Sequence, residues 1–264
     1  MIRDERFDGG RPFDWGKTSD VYAKYRDIYP AEFYSKLCSL GLFEIGTDVL
    51  DIGTGTGVLP RALYETGARF TGTDLSPEQI AQAERISWEK GFNINFKVGG
   101  AEEQLFPDNS FDTITACQCY WYFDHKRAAR TLYSQLKPLG RLAFIVMNWL
   151  PYEDDIASAS EQMVLKYNPT WNGCGFTRSL IDPPEEYLTN FDIECQEQMD
   201  IRVPFTRESW HGRMKACRGV GASLNADDYA AFDREHYEML KQYPATFEVL
   251  HYAAVTILRS KKEN

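Results

Sequence analysis

The chain has 264 residues, 43% of them hydrophobic and 26% charged; this is the composition of a globular protein with one substantial core or at most two small ones, and it excludes disorder, collagen-like repeats and a coiled coil. A net charge of -10, from 29 Lys and Arg against 39 Asp and Glu, would repel a phosphate backbone, and no basic cluster precedes Lys261-Lys262, so nucleic acid is not an expected partner. No run approaches the roughly 18 apolar residues of a membrane span, and the start Met1-Ile-Arg-Asp-Glu-Arg is charged where a signal peptide needs an apolar stretch, so the expectation is a cytoplasmic protein with no membrane partner.

Val49 to Ile52 is a short apolar run closed by a glycine loop, and Leu59 to Tyr64 returns to helical spacing before Gly67 stops it: strand, turn, helix. Arg69 to Thr73 reads as the next strand. Ser76-Pro77-Glu78-Gln79 then opens a helix running to about Gly91, with Ser76 as N-cap, Pro77 at N1 and Gln79 completing a capping box. Further strands are expected over Ile94 to Val98, Phe111 to Ala116 and Arg141 to Met147, with a helix from about Asp124 to Lys137 stopped by Pro138 and Gly140. Beyond Pro151 the rhythm changes. A helix near Asp155 to Tyr167, a Gly/Pro-rich loop from Trp171 to Pro184 and a long strand from Asp192 to Val203 precede two helices, about Arg207 to Cys217 and Ala226 to Lys241, and a last strand from Phe247 to Leu258. Strands alternating with helices imply an α/β fold with a doubly wound, mostly parallel sheet, in one domain interrupted near its C-terminal edge by helices.

The six cysteines include no CxxC pair and read as reduced thiols, and the four histidines make no HxH or HxxxH group, so no metal is expected.

In an open α/β sheet the ligand lies beyond the carboxyl ends of the strands. That rim carries Asp51-Ile-Gly53-Thr-Gly55-Thr-Gly57, Asp74, Gly100-Ala101-Glu102, Gln118 to Tyr122 and Asn148-Trp149. A dinucleotide-binding GxGxxG fails here, because its third glycine is replaced by Val58 in one frame and by Pro60 in the other. The pattern is DxGxGxG, with a second acid, Asp74, at the end of the next strand. A carboxylate there can accept two hydrogen bonds from a ribose diol, while Asp51 can hold an amino group or brace the loop.

These residues resemble the class I S-adenosylmethionine-dependent methyltransferases, through Val49-Leu-Asp-Ile-Gly-Thr-Gly-Thr-Gly57, Gly72-Thr-Asp-Leu-Ser76 and the stretch from Gly100 to Asp112. The resemblance covers roughly residues 20 to 150 and implies a Rossmann-like sheet of seven strands, the last antiparallel, with a cofactor-binding core over 20–150 and helical cap insertions over 151–190 and 204–245 of a single domain spanning 1–264. It implies S-adenosyl-L-methionine as cofactor, with Asp51, Gly53, Thr54, Gly55 and Gly57 facing the methionine part, Asp74 and Leu75 the ribose and adenine, and Ala101 and Glu102 the adenine. Many members carry Asp where this chain has Gly100, so Glu102, a backbone carbonyl or packing against Leu75 must take over the adenine. Asp20-Val-Tyr-Ala-Lys-Tyr-Arg-Asp-Ile-Tyr-Pro30 looks like the helix that small-molecule members fold over the cofactor, bringing Tyr22 and Arg26. Ala116-Cys-Gln-Cys-Tyr-Trp-Tyr-Phe-Asp124 resembles a stretch of trans-aconitate methyltransferase-like proteins and adds Gln118.

The implied activity is methyl transfer to a small-molecule acceptor by in-line displacement, the acceptor being a carboxylic acid if no base is to be needed. Trp121, Tyr122 and Trp149 are expected as pocket walls. On Trp210 to Arg218, an apolar helix face flanked by Arg213 and Arg218 suits an anionic acceptor, since a guanidinium grips a carboxylate through two parallel bonds. A nicotinamide-dependent oxidoreductase and a non-catalytic cofactor-binding module are the alternatives.

Overall fold

A computed structural model describes residues 2–263. Its seven strands are β1 (Asp48–Ile52), β2 (Arg69–Asp74), β3 (Asn95–Val98), β4 (Phe111–Cys117), β5 (Leu136–Trp149), β6 (Phe191–Thr206) and β7 (Thr246–Ser260), and they form one sheet in the order β3-β2-β1-β4-β5-β7-β6. β1 to β5 pair in parallel. Such strands are covered on both faces, which is why β1 reads as a nearly unbroken apolar run with Val49, Leu50 and Ile52 all buried.

β7 runs the other way. The Leu139 N–H bonds the Lys262 carbonyl while the Leu150 N–H bonds that of Leu250, so numbers rise along β5 as they fall along β7. The same reversal relates β6 to β7, through Lys261 to Asn190 and Arg207 to Ala245. The seven-stranded, Rossmann-like sheet with an antiparallel last strand is therefore observed.

The helices are α1 (Ser19–Tyr25), α2 (Ala31–Ser39), α3 (Val58–Ala62), α4 (Pro77–Glu89), α5 (His125–Gln135), α6 (Asp155–Tyr167), α7 (Glu185–Leu188), α8 (Arg207–Lys215) and α9 (Ala226–Leu240). Most lie where spacing and caps place them. Asp124, Asp154 and Asn225 cap α5, α6 and α9 through their side chains, and Thr206 and Ser209 close a reciprocal capping box on α8.

Three local expectations are corrected. The stretch from Asp20 to Pro30 is not one helix: α1 ends at Tyr25, and Pro30 stands at the N-cap of α2, whose buried Phe33 and Leu37 make too narrow a stripe to read from sequence. α5 stops at Gln135 because β5 already begins at Leu136; the ladder then slips between Phe111/Leu136 and Thr113/Arg141, absorbing Pro138, which has no N–H to give, and Leu139 at φ 57. Finally, the Ser76 N–H that Gln79 would have to reach for a capping box is taken by Asp74.

The chain packs as two compact units. The sheet unit comprises Pro30–Met147, Ser179–Met199 and the chain from Ala253 onward; Leu37, Val49, Ile114, Leu132, Leu142 and Phe144 are among its fully buried side chains. The helical unit comprises the chain to Tyr29, Asn148–Arg178 and Asp200–Tyr252, with Val164, Trp210, Met214, Phe232 and Leu240 inside. Among the described residues no helix is long and apolar enough to cross a membrane.

Candidate active site

In the sheet unit, register brings the strand ends level: Ile52 lies beside Thr73 and Ala116, and Asp74 beside Val98. The segments that follow therefore share one rim. Gly53, Gly55 and Gly57 turn the chain there with φ of 63°, 56° and 76°, a region that disfavours side chains, and a Cβ on Gly53 would stand 2.7 Å from Cys119.

Asp74 organises this loop. One carboxylate oxygen accepts the Gly55 N–H at 2.9 Å and the other the Ser76 N–H at 2.9 Å, tying the loop to the start of α4. Each oxygen keeps a second lone pair, as a vicinal diol requires. Asp51 is only 2% exposed and accepts the Thr115 hydroxyl at 2.7 Å, which links β1 to β4. Burial pushes its carboxyl up to about 6, against the hydroxyls of Thr54 and Thr115 and with the help of the nearby Asp74 charge.

Over Gly100, where the usual carboxylate is missing, two other side chains converge. A Cβ there would lie 3.0 Å from Glu102 Oε2 and 3.0 Å from a methyl of Leu75. Glu102 Oε1 accepts the Asp124 N–H at 2.8 Å, which aims the side chain, and Leu75 is 59% exposed on the rim. An apolar face beside a fixed hydrogen-bond acceptor fits an adenine ring and its amino group. We expect Glu102→Ala to raise the dissociation constant of S-adenosylhomocysteine about tenfold, the loss of roughly one hydrogen bond to a charged group. Calorimetric titration measures this, and an unchanged constant removes Glu102 from the adenine site.

Ala101 is buried. Gln118, at φ 60°, spends its amide N–H on the Met147 carbonyl. Trp121 and Tyr122 lie half-buried in a single 3₁₀ turn, with ring centres 5.7 Å apart.

The helical unit gathers a second set. Tyr22 lies under the Arg26 guanidinium, whose carbon is 5.0 Å from the ring centre. Arg213, 4% exposed, stacks over Trp149 at 4.9 Å and donates to Cys217 Sγ at 3.1 Å, while the Trp149 indole N–H is held by Glu161 at 2.6 Å. Neither Arg26 nor Arg213 has a carboxylate at ion-pair distance among the described residues.

Arg218 is a correction. Its guanidinium forms a buried ion pair with Asp8 at 2.8 Å, bonds Asn172 and sits 4.8 Å from the Phe7 ring centre, so its charge is already neutralised inside the protein. No spacing could have revealed a partner 210 residues away. Three of the four histidines are also internal: His211 and His236 bond each other at 2.8 Å, and His251 Nδ1 lies 2.9 Å from the Val249 carbonyl.

Residues 50–144 match the methyltransferase domain family. The ubiquinone biosynthesis O-methyltransferase of Xanthomonas euvesicatoria pv. vesicatoria is 28% identical over 174 residues, 64% of this chain and 70% of that one. The demethylmenaquinone methyltransferase of Thermus thermophilus is 36% identical over 100 residues, 37% of this chain and 46% of that one. Among solved structures, the YcgJ protein of Bacillus subtilis superposes with a TM-score of 0.51 over 87% of this chain and 98% of that one, at 22% identity. The [4+2]-cyclase SpnF reaches 0.55 over 95% and 97%, at 18% identity, so the fold alone does not decide the chemistry. It is the matched domain that does: residues 50–144 and the curated relatives set aside the nicotinamide reading and support an S-adenosylmethionine-dependent methyltransferase with S-adenosyl-L-methionine as its cofactor.

Proposed function

We propose that the methyl acceptor is a carboxylic acid, held through its carboxylate by Arg213. The observation that carries this reading is a guanidinium 4% exposed, stacked on Trp149 and left without an acid, in a chain with 39 Asp and Glu to choose from. A buried arginine without a counter-charge is costly, and an anionic ligand supplies the missing charge in a geometry that fixes its orientation.

On the cofactor side, Asp74 holds the ribose diol and Leu75 and Glu102 the adenine. Bound S-adenosylmethionine supplies an already activated methyl group, so the protein has to orient the acceptor and exclude water. Trp121 and Tyr122 supply aromatic walls on the rim. A carboxylate is ionised at neutral pH and needs no general base to act as nucleophile.

The test is transfer of labelled methyl to a panel of small carboxylic acids, phenols and amines. We expect uptake by acids, and a fall of about 100-fold in kcat/KM for the best acid in Arg213→Met, with S-adenosylhomocysteine affinity unchanged. Uptake confined to uncharged phenols or amines would defeat the proposal.

A further inference from the structure

Two polar atoms buried in the helical unit lack partners, and both belong to side chains that pack on Trp149. Arg213 leaves its Nε–H unbonded, and His251, fully buried, leaves Nε2 unbonded. The Val249 carbonyl beside His251 Nδ1 can only accept, so the ring proton belongs on Nδ1 and Nε2 presents a bare lone pair. Both side chains pack on Trp149, with the Arg213 guanidinium 4.9 Å and the His251 ring 6.4 Å from its centre.

The charges around them are not compensated. Burial first, and then the charges of Arg213 and Arg26, hold His251 down to about 3. Burial and the charge of Arg26 likewise lower Arg213, whose other electrostatic neighbours are Cys217, Tyr22 and Tyr29. Phe205 and Trp210 close over the imidazole without adding charge. Arg218 provides the contrast within the same unit: an arginine serving the fold is matched with a buried aspartate. What the cluster around Arg213 lacks is one negative charge and one hydrogen-bond donor.

We propose that Arg213, Arg26 and His251 form a binding site for a small organic anion that also carries an O–H or N–H group, its carboxylate on the guanidiniums and its donor on His251 Nε2. The proposal rests on the carboxylic-acid reading above and narrows it to hydroxy or amino acids. Two sources share this chemistry: the methyl acceptor, and the amino-acid end of the cofactor itself.

The test is calorimetric titration of the full chain with matched probes, mandelate against phenylacetate and 3-hydroxybenzoate against benzoate, with and without saturating S-adenosylhomocysteine. The hydroxylated member of each pair should bind about tenfold more tightly. His251→Phe should abolish that preference, and Arg213→Met should weaken both members. Imidazole ¹⁵N spectra of the unaltered protein give a readout independent of any variant, because the His251 Nε2 signal should move with the hydroxylated acid and not with its partner. Weakened S-adenosylhomocysteine binding in both variants would assign the site to the cofactor's amino-acid end; unchanged binding, with the hydroxylated acids still bound in its presence, assigns it to the acceptor. Equal binding of paired acids with an unmoved Nε2 signal overturns this inference while leaving an Arg213-dependent carboxylate site standing. If no acid binds and neither variant alters S-adenosylhomocysteine affinity, both readings fall.

Discussion

Replacing Arg218 by methionine is expected to cost about 3–5 kcal/mol of stability, because it strands a carboxylate in the interior. Asp8 is 1% exposed, and both its oxygens face Arg218, at 2.8 and 3.1 Å. The Asn172 N–H donates to the same carboxylate at 3.1 Å and the Thr170 hydroxyl to the Asp8 carbonyl at 2.8 Å, so the pair fastens the turn around Asp8, itself at φ 50, to the loop after α6. Methionine fills most of the volume but supplies no charge. For a chain of this length the loss corresponds to a fall in Tm of about 10 °C. Thermal unfolding followed by circular dichroism measures it, and the double variant with Asp8→Asn should recover a large part, since removing both charges is far less costly than removing one. A single variant as stable as the parent would mean that the carboxylate finds water or another donor.

The second large effect is on the cofactor. Asp74→Ala should weaken S-adenosylhomocysteine binding by about 100-fold or more, through the loss of two hydrogen bonds to a charged acceptor, each contributing about 1.5–3 kcal/mol. The variant also releases the Gly55 N–H, so part of the loss comes from a looser glycine loop. Asp74→Asn, which keeps one oxygen acceptor, should fall between the two. The half-buried position of Asp74 at a strand end predicts that both variants stay folded. Calorimetry decides: undiminished affinity in a folded Asp74→Ala protein would remove the ribose assignment.

The two arginines of one short segment show where sequence reading stops. Arg213 and Arg218 looked equivalent, flanking the same apolar helix face. In the structure one stacks on Trp149 with no acid and the other is sealed against Asp8, a distinction made by residues from remote parts of the chain. His251 is similar: it lies in the core, and only packing shows that its outer nitrogen has no partner.

The pair over Gly100 lies between these cases. Glu102 and Leu75 could both be named from the sequence, and their convergence over Gly100 depends on the register of β2 and β3 and on the N-terminus of α5.

What the sequence determined by itself was local and periodic: the run of β1, the glycine loop, the Ser76 cap and Pro77 start of α4, the helix α6 to its last residue, and the acid at the end of β2. These features depend on neighbours within a few residues, where backbone preference and side-chain spacing dominate. Tertiary structure alone decided the slipped ladder of β5, the break between α1 and α2 and the partner of every buried charge. Those outcomes turn on desolvation and on contacts between residues far apart in the chain, and a guanidinium's energy in the interior depends less on the helix that carries it than on whether folding brings an anion to its side.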